Sequence, residues 1–195
     1  KIDPKLLRET ELADRAFAAL ANHLQRISYI LPADKVKELQ TLPIWIELQN
    51  TDLKNMQYHP GREWLVDHGH DPRFVKHVHI PIAKHLTDRH MWAKHPYVVL
   101  HELAHAYHDQ VLSFEQEEII AAYNDAKEAG IYEEILLYTG KKVRHYGMTN
   151  HKEYFAESTE AYLGVNDFYP FVRAELEEHD PQMYELMKTI WGSVE

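Results

Sequence analysis

The sequence predicts an α+β domain that is dominated by helices, with a small sheet packed on one central apolar helix. Most of the chain carries apolar residues at helical spacing. Two short stretches, residues 44–48 and 75–82, instead alternate in the way that strands do. No internal repeat and no linker rich in Gly, Ser or Pro interrupts the chain, so residues 1–195 are expected to form a single domain.

The N-terminal part should supply a long helix, a short helix and a strand. Asp3 and Pro4 form a good cap and first-turn pair, and apolar residues then recur at helical spacing. Pro32 ends this region, a short helix is expected over residues 33–40, and residues 44–48 should form a strand. We expect the long helix to pack on the core.

The next segment, residues 50–74, is rich in turn-forming residues and should be a loop excursion with a short helix near Trp64. His68 and His70 lie in it and could bind a second metal ion, although solvated loop histidines are far commoner. Residues 75–82 should form a strand just ahead of the central helix. If that strand lies at a sheet edge, it could hold an extended peptide by adding main-chain hydrogen bonds.

The C-terminal half should be mostly helical. A helix over residues 115–130 ends at Gly130, a residue type that favours helix C-termini. Residues 131–145 form a connector, and Asn150 is a plausible N-cap of a second amphipathic helix. A last helix from about Pro181 closes the domain.

The most informative motif is HELAH, residues 101–105, within VVLHELAHAYHDQ. On a helix, His101 and His105 lie one turn apart on one face, so both imidazoles can reach one metal ion. Glu102 projects about 100° around the helix from His101, where it can face a metal-bound water without being a ligand. This arrangement indicates a zinc metallopeptidase.

The surroundings of the motif favour a functional role. Leu103, Ala104 and Ala106 fill the positions between its polar groups, as in a buried helix. Burying unpaired polar groups costs about 1 to 3 kcal/mol each, so two histidines and a glutamate need a reason to be there. The alternative is a solvent-facing, histidine-rich helix end.

A catalytic zinc site takes three protein ligands, so one more must come from elsewhere. Glu153, Glu157 and Glu160 fall on one side of the second amphipathic helix. One of them can bind the metal while a neighbour orients a ligand, and a solvated acidic face is the expectation for Glu160. His108 would crowd a third imidazole onto one helix, and Asp109 is better suited to accept a hydrogen bond from a zinc-bound histidine. Helix capping or exposure to solvent would explain Asp109 equally well.

HELAH followed by YGMTNHKEYFAE resembles the anthrax lethal factor type of zinc peptidase, a gluzincin group with HExxH and then Y-G-x-T-N-x-x-E-F-F-A-E. The resemblance spans roughly residues 95–165. It implies a zincin-like metallopeptidase domain with a small sheet packed on the HExxH helix. It also implies one zinc ion per chain, held by His101, His105 and Glu153, with Glu102 as general base, Tyr146 as transition-state hydrogen-bond donor and Glu157 in a supporting role.

The oxyanion donor has two candidates on residue chemistry alone. A preorganised Tyr146 phenol or a His145 imidazolium could each stabilise the oxyanion, and only the resemblance favours Tyr146. The chain departs from the family at Ala104, where glycine is common, and at Met148, and these changes bear on substrate preference more than on chemistry.

The function expected is zinc-dependent endopeptidase activity on an extended peptide or protein. The water activated by zinc attacks the carbonyl, Glu102 takes its proton and later returns it to the leaving amine. Two alternatives are a catalytically silent zinc protein that binds peptides or regulates a partner through the same groove, and a regulatory protease that acts on a DNA-bound protein. The presence of Glu102 favours activity over the silent protein.

Composition excludes other classes. A formal net charge of −10 argues against a nucleic-acid binder, which needs clustered Lys and Arg. With no cysteine in the chain, a thiolate nucleophile is excluded, and no serine sits in a G-x-S-x-G setting.

The compartment is weakly indicated. A chain without cysteine fits the cytosol or an exported bacterial protein. Because the first residue is Lys1 rather than Met, a removed leader is suggested, which slightly favours a secreted or periplasmic location. The sequence contains no apolar run of about 20 residues, so no membrane span is predicted. We expect a monomer.

Overall fold

Residues 1–194, which the computed structural model describes, form nine α-helices and five short strands. The helices are α1 (Thr10–Ile30), α2 (Ala33–Leu39), α3 (Arg62–Asp67), α4 (Arg89–Lys94), α5 (Val98–Tyr107), α6 (Glu117–Ala129), α7 (His151–Leu163), α8 (Arg173–His179) and α9 (Pro181–Trp191). The strands are β1 (Ile44–Ile46), β2 (Gln57–Tyr58), β3 (Val78–Ile80), β4 (Ile135–Leu136) and β5 (Lys142–Val143). The predicted helix-dominated α+β class is confirmed.

The main sheet has three strands in the order β1-β3-β2. β1 pairs parallel with β3, so that Ile44 lies opposite Val78, and β2 pairs antiparallel with β3, so that Tyr58 also lies opposite Val78. The strand predicted over residues 75–82 is therefore central, and the idea that it is a sheet edge is wrong. Its side chains explain this position, because all three residues of β3 are buried. β2 is an edge strand of this sheet.

The first helix begins later than its sequence indicates. The Asp3 carboxylate accepts a hydrogen bond from the backbone N–H of Lys5 just ahead of a short 3-10 turn over Leu6–Arg8, and α1 starts only at Thr10. The reason is the neighbouring sheet, because the backbone N–H of Asp3 donates to the carbonyl of Ile46 and holds the start of the chain against β1.

Several shorter elements agree with the sequence and others were not foreseen. α2, α3, α6 and α9 lie where helices are predicted, and Gly130 ends α6 with a φ of 66°. The segment 131–145, predicted as a plain connector, contains the β4–β5 hairpin. α4 and α8 were not predicted, because each is a short helix of six or seven residues with no long apolar repeat.

The core is built around α5 and α7. α5 is buried along nearly its whole length, as the sequence predicts. α7 is buried at every position from Tyr154 to Leu163, so the expectation of an amphipathic helix is wrong. α7 contacts α5, α6, α8 and α9, which leaves it no solvent-facing side over that range.

The ends of α5 and α7 meet closely. Gly164 follows α7, and a Cβ atom built on it would lie 2.4 Å from the ring of Tyr97, the residue before α5. The ring of Tyr97 therefore packs directly on the backbone of Gly164, and a side chain at position 164 would force a shift at this contact.

No helix in residues 1–194 has the length and apolar content that crossing a bilayer requires. The organisation of the chain as a single domain over residues 1–195 stays a prediction.

Asn150 caps α7, as the sequence predicts, and its side chain accepts hydrogen bonds from the backbone N–H groups of Lys152 and Glu153 at 2.9 and 3.0 Å. We expect Asn150→Ala to lower the free energy of unfolding by about 1 kcal/mol, because both donors lose their acceptor. Urea unfolding measures this, and Asn150→Asp, which keeps the acceptor, is the control. Equal stability of Asn150→Ala and the wild type would contradict the capping role.

Candidate active site

Three side chains from α5 and α7 converge on one point. His101 and His105 lie one turn apart on α5, and their Nε2 atoms are 3.1 Å apart. Glu153, in the first turn of α7, places Oε2 at 3.3 Å from His101 Nε2 and 3.2 Å from His105 Nε2. The three atoms therefore form a nearly equilateral triangle of two imidazole nitrogens and one carboxylate oxygen. Their role as metal ligands stays a prediction.

A second carboxylate holds the far side of His101. Glu160 Oε1 accepts a hydrogen bond from His101 Nδ1 at 2.7 Å, and the same carboxylate accepts one from His95 Nε2 at 2.8 Å. Glu160 is fully buried, so the expectation that it belongs to a solvated acidic face is wrong. The reason is that the stripe of glutamates on α7 faces α5 rather than solvent.

The charges around Glu160 support this pairing. Burial alone would raise the pKa of Glu160, but the neighbouring His95 and the hydrogen bonds from His95 and His101 lower it to about 2. Conversely, burial disfavours the charged form of His95, but Glu160 raises the pKa of that imidazole above its ordinary value. Glu160 is therefore ionised, and it can only accept hydrogen bonds from the two histidines.

Because ionised Glu160 can only accept, His101 Nδ1 is the donor in their hydrogen bond, and Nε2 is the nitrogen that faces His105 and Glu153. Burial disfavours the charged ring, but the hydrogen bonds with Glu153 and Glu160 raise the pKa of His101 well above its ordinary value, so a bound metal would replace a proton on Nε2. An imidazole held in this way is ready to coordinate a metal through Nε2. The residues that orient it, Glu160 and His95, were missed by the sequence analysis. For Glu160 the sequence did contain a signal, because a residue seven positions after Glu153 lies on the same face of the helix as that predicted ligand. For His95 the sequence analysis used no such signal.

An open cleft borders this cluster. A cavity of about 480 Å³ is lined by His101, Glu102 and Tyr146, together with Glu157 and Asp167. Glu102 is buried, whereas Tyr146 is 48% exposed and so can meet a ligand that enters. A larger and mainly apolar cavity of about 860 Å³ lies between α1, α2 and β1, and it contacts α5 only from the face opposite His101.

Asp109, which the sequence suggested as a partner of a metal-binding histidine, lies away from the triangle. Asp109 accepts hydrogen bonds from the Tyr58 hydroxyl and the Lys76 ammonium on the side of the sheet, so Glu160 takes the role that the sequence assigned to Asp109. The physical reason is that Asp109 lies beyond the end of α5, in a π-helical turn, where Lys76 from the segment before β3 forms an ion pair with it.

His145, the rival of Tyr146, is packed away from the cleft. Its ring packs edge-on against Tyr132 and at a tilt against Phe168, and its Nδ1 accepts a hydrogen bond from the backbone N–H of Gly147 at 2.9 Å. Burial lowers the pKa of His145 to about 3, so the ring is neutral near pH 7. It is poorly suited to act as the imidazolium donor considered from sequence.

His108 and the loop histidines do not join the triangle. Within residues 1–194, two sets of three His, Asp or Glu ligand atoms lie within 4.8 Å of one another, and both contain His101. One set is the triangle with His105 and Glu153, and the other is His101 with His95 and Glu160. His68 and His70 therefore form no such group in the described part of the chain.

No protein-family model and no curated protein matches this chain. Among solved structures, the chain is similar to the Pro-Pro endopeptidase PPEP-2 from Paenibacillus alvei, with 24% sequence identity and a TM-score of 0.49. That similarity covers 89% of this chain and 90% of the endopeptidase chain. At this identity and TM-score, the activity of this chain has to follow from its own side chains.

Substitutions of Glu160 and Asp109 test whether Glu160 orients the His101 ring for metal binding. We expect Glu160→Gln to weaken zinc binding by about 10- to 100-fold, because an amide holds the His101 ring less strongly than a carboxylate. Asp109→Asn is the matched control and should bind zinc as the wild type does. Competition with a chromophoric chelator measures both affinities, and equal affinities for Glu160→Gln and the wild type would refute the role.

Proposed function

We propose that this protein is a zinc-dependent endopeptidase of the gluzincin type, which hydrolyses peptide bonds in an extended peptide or protein. The observation that carries the proposal is the triangle of His101, His105 and Glu153 beside an open cleft that Glu102 and Tyr146 also line. Two imidazoles and one carboxylate are the ligand set of a gluzincin, and three protein ligands leave a position for water and substrate.

The spacing of the three ligand atoms fits zinc. Zinc bonds of about 2.0 to 2.1 Å at the tetrahedral angle would put neighbouring ligand atoms about 3.3 to 3.4 Å apart. The Nε2 and Oε2 atoms of the triangle are separated by 3.1 to 3.3 Å. The donor set also suits this ion, because zinc binds both imidazole nitrogen and carboxylate oxygen.

When bound, zinc supplies Lewis acidity, which polarises the substrate carbonyl and brings the pKa of water from about 15.7 towards about 7. Glu102 follows His101 on α5 and lines the cleft, so its carboxylate is available to accept the proton of the attacking water. The same carboxyl group then returns that proton to the leaving amine. One residue thus serves as base and then as acid.

Tyr146 is the proposed donor to the oxyanion. It lines the cleft with His101 and Glu102, and burial together with the nearby Glu153 raises the pKa of its phenol above the ordinary value. The hydroxyl therefore keeps its hydrogen at neutral pH and can donate it to the negative charge that forms on the carbonyl oxygen.

The sheet offers a way to bind an extended chain. Asn55 and Met56 line the cleft and directly precede β2, the edge strand of the three-stranded sheet. A peptide that lies along this edge could form main-chain hydrogen bonds, which are independent of side-chain identity. Residues 75–82 were considered for this binding in case they formed a sheet edge. Because β3 is the central strand, the proposal assigns peptide binding to β2 instead.

The lethal factor-like subtype is part of the proposal. It is supported by the YGMTNHKEYFAE segment, which supplies a cleft tyrosine at Tyr146 and a triangle carboxylate at Glu153. The substrate is a peptide or protein.

Substitutions of Glu102 and Glu153 distinguish loss of the catalytic step from loss of metal binding. We expect Glu102→Gln to keep about one zinc ion per chain and to lower turnover by about 10²- to 10⁴-fold, because only the base is lost. Glu153→Ala should instead lose zinc. Elemental analysis and digestion of a peptide library measure the two properties. If Glu102→Gln cleaves as fast as the wild type, the mechanism is wrong, and if the wild type holds zinc without cleaving peptides, the chain is a silent zinc protein.

Tyr146→Phe tests the oxyanion donor. We expect kcat to fall by about 10²- to 10³-fold with little change in KM, because the hydroxyl acts mainly on the transition state. Zinc content should stay at the wild-type level. An unchanged kcat would reject Tyr146, and steady-state kinetics on one cleaved peptide are sufficient to decide.

A further inference from the structure

Two buried carboxyl oxygens on the wall of the cleft have no hydrogen-bond partner. They are Glu157 Oε2 and Asp167 Oδ1, on side chains of residues that are only 2% and 5% exposed, and within residues 1–194 nothing pairs with either atom. Both residues line the same cavity as His101 and Glu102. Buried carboxylates normally have partners, because an unpaired buried acceptor costs about 1 to 3 kcal/mol.

The burial of these groups is reflected in their acidity. Desolvation raises the pKa of Glu157 to about 8, and it also raises the pKa of Asp167 above its usual range. Glu160 raises both pKa values further, and Asp167 also raises that of Glu157, because like charges disfavour ionisation. The surrounding residues therefore do not fully compensate the negative charge of either group.

The basic residues nearby do not fill the gap. His95 and His101 both donate to Glu160, and His101 Nδ1 also lies 3.7 Å from Glu157 Oε1, which leaves Glu157 Oε2 unpaired. Lys94 lines the cleft too, but its side chain is exposed and does not pair with Asp167 Oδ1. Both unpaired oxygens are buried, so a partner cation has to come from outside the chain and enter this wall of the cleft to reach them.

The shape of the cleft suits a long side chain with a charged end. Its volume of about 480 Å³ is bounded by apolar side chains as well as by the acids, among them Met56, Val98 and Phe168. Apolar walls can contact the methylene stem of a lysine or arginine while the charged end reaches the carboxyl groups. A glutamate or aspartate in the same place would be repelled.

We propose that this cleft is a specificity pocket for a lysine or arginine side chain of the substrate, whose charged group binds Asp167 and Glu157. The inference rests on the proposed peptidase function. Because His101, Glu102 and Tyr146 line the same cavity, the basic residue lies close to the scissile bond. Asp167 provides the charge that selects the cleavage position, and Glu157 Oε2 adds a second oxygen that can accept a hydrogen bond from the basic side chain.

The first experiment compares peptides that differ at one position. A cleaved peptide found in a library digest is resynthesised with Lys, Arg, norleucine or Glu at each position flanking the cleaved bond. Norleucine keeps the stem of lysine without its ammonium group. At one position we expect kcat/KM to be about 10- to 100-fold higher for Lys or Arg than for norleucine, which corresponds to a charge-assisted hydrogen bond.

The second experiment assigns the preference to the pocket. Asp167→Asn should reduce the ratio of kcat/KM for the lysine peptide to that for the norleucine peptide by about tenfold. Asp125→Asn, the same change on α6 away from the cleft, is the control and should keep the wild-type ratio. If Asp167→Asn does not fold, Glu157→Gln is tested for the same loss.

The outcomes separate this pocket from the peptidase function. Cleavage with no preference for a cation, or a preference that survives both substitutions, overturns the pocket and leaves the peptidase intact. If no peptide is cleaved, the peptidase proposal fails, and the pocket is tested by binding of the wild type to an array of lysine and norleucine peptides. A lysine preference there that Asp167→Asn removes supports the pocket, and equal binding overturns it.

Discussion

The site depends on one buried carboxylate. Glu160 is fully enclosed between His95 and His101, and it is the link that joins the segment before α5, α5 itself and α7. An ionised group in such a place is stable only when it is well paired, so its two hydrogen bonds are a condition for the packing of α7. They also fix which nitrogen of His101 faces the triangle. Structure and proposed chemistry thus rely on the same contact.

The three glutamates of α7 have the same chemistry and different neighbours. Glu153 faces two imidazoles, and their hydrogen bonds outweigh the effect of burial and lower its pKa. Glu160 has its pKa lowered to about 2 by two histidines, whereas burial raises the pKa of Glu157 to about 8. One helix face therefore provides a candidate ligand, an orienting anion and a largely protonated group. The division arises from partners rather than from residue type.

The sequence could predict what local spacing determines. The positions of His101 and His105 one turn apart, the cap at Asn150 and the end of α6 at Gly130 are all local features, and the structure has them. Spacing on a helix tells which residues share a face, but it does not tell what packs on that face. This is why Glu160 was expected in solvent.

The same limit explains the remaining differences. Whether residues 75–82 form a central or an edge strand depends on β1 and β2, which come from distant parts of the chain. The partner of Asp109 is a lysine that lies 33 residues away in the chain. The presence of both Glu157 and Asp167 on the wall of one cleft depends on how the chain turns after α7. These long-range arrangements have no short sequence pattern.

The close approach of Gly164 to Tyr97 has a consequence for how variants of this protein should be read. Any side chain at position 164 would collide with the aromatic ring, so either that ring or the backbone at the end of α7 would have to shift. The atoms of the triangle are only 3.1 to 3.3 Å from one another, so a displacement of a fraction of an ångström is large on their scale. Gly164 lies at the other end of α7 from Glu153, and a variant at this position would therefore report on how α7 is seated against the start of α5 rather than on the ligands themselves.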